Sequence, residues 1–218
     1  MDKISSLHLD GNTLWIGYGH NTFYTIAVGQ TEPGGLGKLD LPTGRFTSFT
    51  PSLSDTEKVN AEKPTRITVM AMNAGAGGDL WFITADSVPL LYRFQPRNNL
   101  WDGSRRACTA LVGNSKQLIV SQYGSPALSI LDFGEGRWRN LKATTEFLSG
   151  MVSTLTLDGD NLWVGGMGYI ALMDPMQDKV RRFAYIPAST VDRIQIGGGY
   201  VWAQFDWHLY RALLSDVR

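Results

Sequence analysis

Short stretches of alternating apolar and polar residues recur along the whole chain, and each is followed by a turn. Residues 5–9 (SSLHL) precede the turn DGN at 10–12, and residues 152–157 (VSTLTL) precede DGD at 158–160. A period of two residues indicates half-buried β-strands, and Asp-Gly supplies the positive φ that tight hairpins need. The pattern predicts hairpins of short strands, and no segment has a convincing helical period with caps.

An apolar pair follows each of these turns, so the hairpins belong to a larger repeat. The pair occurs five times: Leu14-Trp15, Leu80-Trp81, Leu118-Ile119, Leu162-Trp163 and Val201-Trp202. From the second pair onward the period is about 40 residues, which is typical of four-stranded propeller blades. A third strand such as 35–41 follows each pair, and the first four units add a fourth strand such as 44–50. We therefore predict an all-β propeller of about five four-stranded blades, the last with three strands.

We expect one propeller domain over residues 1–218, because the repeat runs through the whole chain. The blades are predicted at about residues 4–51, 66–104, 108–143, 152–187 and 191–214. Two arrangements remain open: the five blades close into a ring, or they are part of a larger propeller. In an open arrangement, apolar residues near Val201, Leu209 and Leu213 would lie on an uncovered sheet face, and self-association is expected.

The charge balance limits the classes of partner. The chain has 20 Lys and Arg against 20 Asp and Glu, so there is no general electrostatic case for nucleic acid. No apolar run approaches the 18 residues of a membrane span, and residues 1–10 contain no apolar signal region. We expect no nucleic-acid partner and no membrane insertion by this chain, whose localisation the sequence leaves unknown. The single cysteine, Cys108, is predicted to be a core residue.

Two stretches resemble known repeat families. DGNTLWIGYG at 10–19, followed by GGLGKLDLPTGRFTSFTP at 34–51, resembles the two-component-regulator propeller repeat, over residues 4–51 and 152–187. This resemblance implies a sensory or interaction domain of a larger bacterial protein, periplasmic or extracellular. GGDLWFITADS at 77–87 looks like repeats of the virginiamycin B lyase type, which implies a histidine base and a magnesium-binding carboxylate.

One face of the predicted propeller is the candidate ligand-binding face. The first unit is longer than the others, and its extra residues lie in 20–35 and 52–65, two connections that open on the same face. Long loops in compact domains are often functional. Other residues predicted on this face are Tyr18, His20, Arg66, Asp86, Tyr123, Met167, Asp192, Arg193, Asp206, Trp207 and His208. Aromatic and arginine side chains suit recognition of a protein, a polar small ligand or a glycan.

The leading hypothesis is a non-catalytic binding module, and the alternative is a small propeller lyase or hydrolase. For the enzyme, His208 is the candidate base over the channel, with His20 second. No His or Cys pair has metal-ligand spacing, so we expect no metal and no cofactor. Asp158 and Asp160 are interpreted as turn residues rather than calcium ligands. The recurrent Trp side chains are predicted to pack between neighbouring sheets.

Overall fold

The structure of the protein is a computed structural model that describes residues 3–19, 34–49, 69–84, 89–122, 127–142 and 151–217. Nearly all of these residues lie in β-strands, as predicted. The strands are β1 (Lys3–Asp10), β2 (Thr13–Gly19), β3 (Gly35–Asp40), β4 (Phe46–Phe49), β5 (Val69–Ala74), β6 (Leu80–Thr84), β7 (Leu90–Gln95), β8 (Leu100–Gly113), β9 (Gln117–Gln122), β10 (Leu128–Asp132), β11 (Arg137–Asn140), β12 (Val152–Asp158), β13 (Asn161–Asp174), β14 (Lys179–Gly197), β15 (Tyr200–Phe205) and β16 (His208–Leu213). Helical structure within these ranges is limited to a 3-10 turn at Ala76–Gly78 and a single turn, α1 (Leu214–Val217).

All strand pairs are antiparallel and follow chain order within three sheets. The first sheet contains β1 to β4, the second β5 to β11, and the third β12 to β16. The chain divides into two compact units, residues 1–107 and 108–218. The first unit contains the first two repeats, and the second unit contains the other three. The predicted series of four-stranded repeats ending in a three-stranded one is confirmed.

Three long strands each serve two positions of the repeat. Residues 100–107 of β8 pair with β7 as a fourth strand, and residues 108–113 pair with β9 as the next first strand. The strand β14 does the same, since it pairs with β13 up to Thr190 and with β15 from Val191. In β13, residues up to Gly166 pair with β12 and the later ones pair with β14. The strands β8 and β14 therefore join neighbouring repeats without a loop, whereas β13 joins the second and third strands of the fourth repeat.

A β-bulge interrupts the first strand of every repeat. The register shifts between Ile4 and Ser6, Val69 and Ala71, Cys108 and Leu111, Val152 and Thr154, and Val191 and Arg193. A bulge bends a strand and increases its twist. In the fourth repeat the bulged residue is Ser153, whose hydroxyl donates to the carbonyl oxygen of Val191 at 2.5 Å and lies 3.2 Å from that of Gly165. The bulge is therefore bonded to the next repeat.

First strands of consecutive repeats are also joined through side chains. Within the first unit, the amide of Ala74 donates to Nε2 of His8 at 3.0 Å. Burial lowers the pKa of His8, which favours the neutral ring that can accept this bond. Within the second unit, the hydroxyl of Thr156 donates to the carbonyl oxygen of Ile194 at 2.7 Å. These bonds give His8 a structural role.

The recurrent Trp and the glycine two residues later form the packing between neighbouring sheets. Trp15 and Trp163 are both 4% exposed, and Trp163 packs in a cluster with Val191 of the next repeat. A Cβ atom added at Gly165 would lie 2.6 Å from Cγ1 of Val191, and one added at Gly17 would lie 2.7 Å from Cβ of Val69. The glycine lets the next first strand approach closely. The prediction of inter-sheet packing is confirmed for these two Trp residues, whereas Trp81 and Trp202 are half-buried.

Three further expectations have clear outcomes in the second unit. Cys108 is buried, as predicted, and residues 158–160 form a hairpin turn in which Gly159 has φ +60°. The placement of Val201 on the uncovered face of the last sheet is wrong, because Val201 is buried whereas Leu209 and Leu213 are exposed. Adjacent residues of a strand point to opposite faces, so Val201 faces the core while Trp202 faces away from it.

Candidate ligand-binding rim

Seven of the eleven residues predicted on this face lie within the described part of the chain. His20, Arg66, Asp86 and Tyr123 lie outside the described residues, as do the loop 52–65 and nearly all of 20–35. Tyr18 lies at the end of β2 in the first unit, where its hydroxyl oxygen is 2.5 Å from Oγ of Ser48. Met167 belongs to the fourth repeat, and the other five residues all belong to the fifth repeat.

The register of β14, β15 and β16 brings these five residues to one end of their sheet. Val191 lies opposite Phe205, and Phe205 lies opposite His208 on the third strand. The bulge at Asp192 and the turn Asp206-Trp207 therefore occupy the same end. Arg193 follows the bulge, opposite Gln204 in β15. We call Met167, Asp192, Arg193, Asp206, Trp207 and His208 the rim.

The turn between β15 and β16 holds Trp207 away from the protein. Asp206 adopts a left-handed conformation with φ +51°, and Nε2 of Gln204 donates to its carbonyl oxygen at 3.3 Å. Non-glycine residues with positive φ are uncommon, and Asp is among those that tolerate it. Trp207, at the tip, is 96% exposed. The sequence places a large aromatic where it makes almost no contact with its own fold.

Met167 extends the rim into the fourth repeat. It lies opposite Thr190 in β14, one residue before the pair formed by Val191 and Phe205. Its side chain is 60% exposed and is followed by Gly168, whose φ is +83°. Tyr185, which the sequence did not single out, is also largely exposed and lies opposite Tyr169. The sequence could have indicated Tyr185, because it is the last aromatic residue in the fourth strand of the fourth repeat.

His208 is exposed and lies beside an aromatic ring rather than an acid. Its ring centroid is 6.3 Å from that of Tyr210. Among the residues that the structure describes, it has no hydrogen bond or ion pair to a carboxylate, and no group of three or more His, Cys, Asp and Glu could hold a metal ion. A general base is usually oriented by a hydrogen-bonded partner. The described geometry of His208 suits a polar contact at the rim.

A separate concavity of about 320 Å³ lies in the first unit, at the turn between β5 and β6. Its lining includes Asp79, Arg93, Gln95 and Arg97. The guanidinium of Arg93 donates from Nε to Oδ2 of Asp79 at 2.7 Å, so the two principal charges of the cavity neutralise one another. The ion pair stabilises the turn.

The described residues also include a buried tyrosine hydroxyl without a hydrogen-bond partner. Tyr169 is 3% exposed, stacks on Phe183 with ring centroids 5.8 Å apart, and lies in the apolar core of the second unit. Its hydroxyl oxygen has no partner in the part of the chain that the structure describes. Burial raises the pKa of Tyr169 to about 12.

Replacing Tyr169 with Phe should leave the protein at least as stable at pH 7, because an unpartnered buried hydroxyl costs about 1–3 kcal/mol. Because the folded-state pKa lies above the usual 10.0, the unfolded chain ionises first. The contribution of Tyr169 to stability is therefore fully present below pH 10 and is lost as the pH rises toward 12. Melting curves at pH 7 and between pH 10 and 12 test this, since the variant should lose less stability at high pH. A variant that melts several degrees lower at pH 7 would show that the hydroxyl has a stabilising partner.

Comparisons with known proteins agree on the fold. No protein-family model matches the chain, and no curated protein matches it. Among solved structures, the extracellular domain of BT4673 from B. thetaiotaomicron, described as a one-component and as a hybrid two-component system, is similar with a TM-score of 0.64 and 16% and 15% identity. The match covers 96% of this chain and 27% of that one, so the chain spans about a quarter of the length of that domain.

Two further structures have similar folds. YCF48 bound to D1 peptide matches with a TM-score of 0.61 and 15% identity, over 97% of this chain and 64% of that one. A chain of the mitotic checkpoint complex matches with a TM-score of 0.66 and 11% identity, over 100% of this chain and 63% of that one. None of the described helices is long and apolar enough to span a membrane. The chain therefore has a β-propeller fold, which it shares with the BT4673 extracellular domain, in agreement with the resemblance of its repeats to two-component-regulator propellers.

Proposed function

We propose that this chain is a non-catalytic binding module of a sensory protein and that its rim binds a peptide or protein partner. The observation that carries the proposal is the 96% exposure of Trp207 at the tip of a turn. Exposing a Trp to water forfeits the burial that most large aromatics obtain in a folded protein. Trp is also the residue type most enriched among the energetically dominant contacts of interfaces.

The surroundings of Trp207 have the composition of a recognition surface. Met167 supplies a second exposed apolar side chain, and flexible Met side chains adapt to different partners. Asp192 and Arg193 are both exposed and provide one charge of each sign beside the apolar residues. Aromatic and Met anchors within a polar margin are typical of protein interfaces. Peptide recognition also has a precedent in the fold, because YCF48 is bound to a peptide in its structure.

The sensory role rests on the similarity to the BT4673 extracellular domain and on the repeat resemblance. Because the chain spans 27% of that domain, we propose that it acts within a larger assembly of propeller repeats. Binding at the rim would be relayed by neighbouring domains, and an extracellular or periplasmic location follows from the same proposal. Tyr18, and His20, Arg66, Asp86 and Tyr123 beyond the described residues, are proposed to extend the binding face.

The test is a selection of peptides from a random 12-residue library displayed on phage, followed by affinity measurements on the selected peptides. Trp207→Ala should weaken binding of a selected peptide at least about tenfold, as expected for loss of a dominant interface anchor. The matched control is Met176→Ala, because Met176 is 63% exposed in the turn at the opposite end of the same unit. The control should bind with unchanged affinity.

The selection can also contradict the proposal. The proposal would be contradicted if the peptides bound Trp207→Ala as tightly as the parent chain. It would also be contradicted if Met176→Ala, rather than Trp207→Ala, abolished their binding. Thermal melting of both variants should match the parent chain, because neither side chain contributes to the core.

A further inference from the structure

The cavity of about 320 Å³ in the first unit lies between two turns at the same end of the second sheet. Ala74 lies opposite Leu80 across one turn, and Gln95 lies opposite Leu100 across the other. The volume is at the lower end of the range for small-molecule sites, about 300–1,000 Å³. Apart from Ala76 and Pro96, the lining residues are glycines or carry a charged or amide side chain. We call this space the turn cavity, and its composition suits a small polar ligand.

The turn between β5 and β6 contributes bare backbone to the turn cavity. Gly77 and Gly78 have φ of +74° and +82°, a conformation that other residues rarely adopt. No atom lies within 4 Å of a Cβ added at either position. This wall of the cavity therefore lacks side chains that could fill the space.

The opposite wall contains a guanidinium that is already held in place. Nε of Arg93 donates to Oδ2 of Asp79 at 2.7 Å, and its guanidinium carbon lies 5.7 Å from the ring centroid of Trp81. Among the described residues, Nη1 of Arg93 has no hydrogen-bond partner. A fixed guanidinium with unused donors binds an anion at a low cost in side-chain entropy.

The second turn of the cavity differs from its counterparts in three other repeats. It begins at Gln95, which pairs with the residue five positions later, as Asp132 and Asp174 do in the third and fourth repeats. In the third repeat, Oδ1 of Asp132 accepts hydrogen bonds from the amides of Gly134 at 2.8 Å and Glu135 at 3.0 Å. A carboxylate thus caps this turn, in the way that Asp side chains commonly bond their own backbone.

The same cap is present in the first and fourth repeats. Oδ1 of Asp40 accepts from the amide of Thr43 at 2.9 Å, and Oδ1 of Asp174 accepts from the amides of Met176 and Gln177 at 3.0 Å. Hydrogen bonds from Thr43 lower the pKa of Asp40, and the amide of Gln177 lowers the pKa of Asp174. The turns of these repeats therefore favour an ionised carboxylate at this position.

The second repeat lacks this carboxylate. Nε2 of Gln95 instead lies 3.5 Å from Oδ2 of Asp79, across the cavity. Pro96 and the bond from the amide of Asn98 to the carbonyl oxygen of Gln95, at 3.2 Å, fix the turn. Within the part of the chain that the structure describes, neither the amide nor the guanidinium of Arg97 has an acceptor. The amides of Gly134 and Met176, at the equivalent position, both have one.

We propose that the turn cavity binds a small hydroxylated monocarboxylic acid, whose carboxylate takes the place of the missing Asp side chain. The carboxylate accepts hydrogen bonds from the amide and guanidinium of Arg97 and from the free donors of Arg93. The side-chain amides of Gln95 and Asn98, which both donate and accept, bond the hydroxyl groups of the ligand. This site shares no residue with the rim and does not depend on peptide binding there.

Charge favours a monocarboxylate over a phosphate. Arg93 and Arg97 line the cavity together with Asp79, so the lining carries one net positive charge. A monoanion neutralises this charge, whereas the second charge of a phosphate dianion would be left facing the carboxylate of Asp79. The three capped turns also contain a carboxylate, which shows that backbone of this shape accommodates that group.

The experiment titrates sodium gluconate, a hydroxylated monocarboxylate, into the isotopically labelled chain and follows the backbone amides by NMR. Gluconate should shift the resonances of Gly77, Gly78 and Arg97. Sorbitol with sodium chloride at the same ionic strength is the matched neutral probe, because sorbitol carries a hydroxymethyl group where gluconate carries its carboxylate. Sorbitol should leave the three resonances unchanged.

Two pairs of variants locate the site. Arg97→Gln should weaken gluconate binding about tenfold, as expected for loss of a charge-assisted hydrogen bond. The control Arg45→Gln changes an exposed arginine beside the corresponding turn of the first repeat and should have no effect. Gln95→Asp restores the carboxylate that caps the other turns, so it should abolish gluconate binding without loss of thermal stability. The neutral variant Gln95→Asn should retain binding.

Several results would overturn the proposal. Gluconate that binds Gln95→Asp as tightly as the parent chain would show that the ligand does not replace the missing side chain. Equal binding of sorbitol would remove the role of the carboxylate, and tighter binding of inorganic phosphate would identify a phosphate site instead. If neither gluconate nor acetate shifted the resonances of Gly77, Gly78 and Arg97, the cavity would not be a carboxylate site.

Discussion

Trp163→Ala should lower the free energy of unfolding by about 3–5 kcal/mol, the range for truncating a large buried aromatic. Trp163 is 4% exposed and packs with Leu172 of its own repeat and with Val191 and Ile194 of the next repeat. Its Nε1 has no hydrogen-bond partner among the described residues, so the loss comes from packing alone. Chemical denaturation followed by far-UV circular dichroism measures the effect.

The matched control is Trp202→Ala, which changes the same position of the repeat in the last sheet. Trp202 is half-buried, whereas Trp163 is 4% exposed. Its truncation should cost about 1–2 kcal/mol, since less apolar area returns to water. Equal losses for the two variants would contradict the expectation that the cost follows the burial of each Trp side chain.

Gly165→Ala should destabilise the protein by about 2–3 kcal/mol, although alanine is normally the better residue within a strand. The added methyl group would lie 2.6 Å from Cγ1 of Val191 and 2.7 Å from Cγ2 of Thr154. Both neighbours are β-branched side chains with few alternative rotamers, so the sheets must separate. The midpoint of urea unfolding measures the loss.

Gly197→Ala provides the control for this effect within the same sheet. Gly197 lies in β14, has no positive φ, and no atom lies within 4 Å of an added Cβ. The substitution should change stability by no more than about 0.5 kcal/mol, because it removes only the extra freedom of glycine in the unfolded chain. A similar loss at both positions would indicate that glycine is required for backbone conformation rather than for sheet approach.

The repeated unit could be predicted from the sequence, because the same residue types recur at the packing positions of each repeat. The Leu-Trp pair, the turn at 158–160 and the buried Cys108 could be predicted, since alternation and turn chemistry are local properties. Burial of an individual Trp was not predictable in the same way. Trp163 and Trp202 occupy equivalent positions, and their exposure differs because it depends on the sheet that lies against them.

The residues of the rim could be predicted from the expected propeller topology, but their positions relative to one another could not. A bulge adds a residue without disturbing the alternation visibly, so the displacement at Asp192 has no sequence signature. The isolation of Trp207 depends on the left-handed conformation of Asp206.

The continuity of β14 limits how these repeats can change in length. The strand runs without a loop from the fourth repeat into the fifth, from Lys179 to Gly197. Deletion or insertion of one residue would turn every following side chain to the opposite face and expose Ile194 in place of Arg193. Natural or engineered insertions must therefore be confined to turns such as Asp206-Trp207, where a lengthened loop would alter the binding surface and leave the core unchanged.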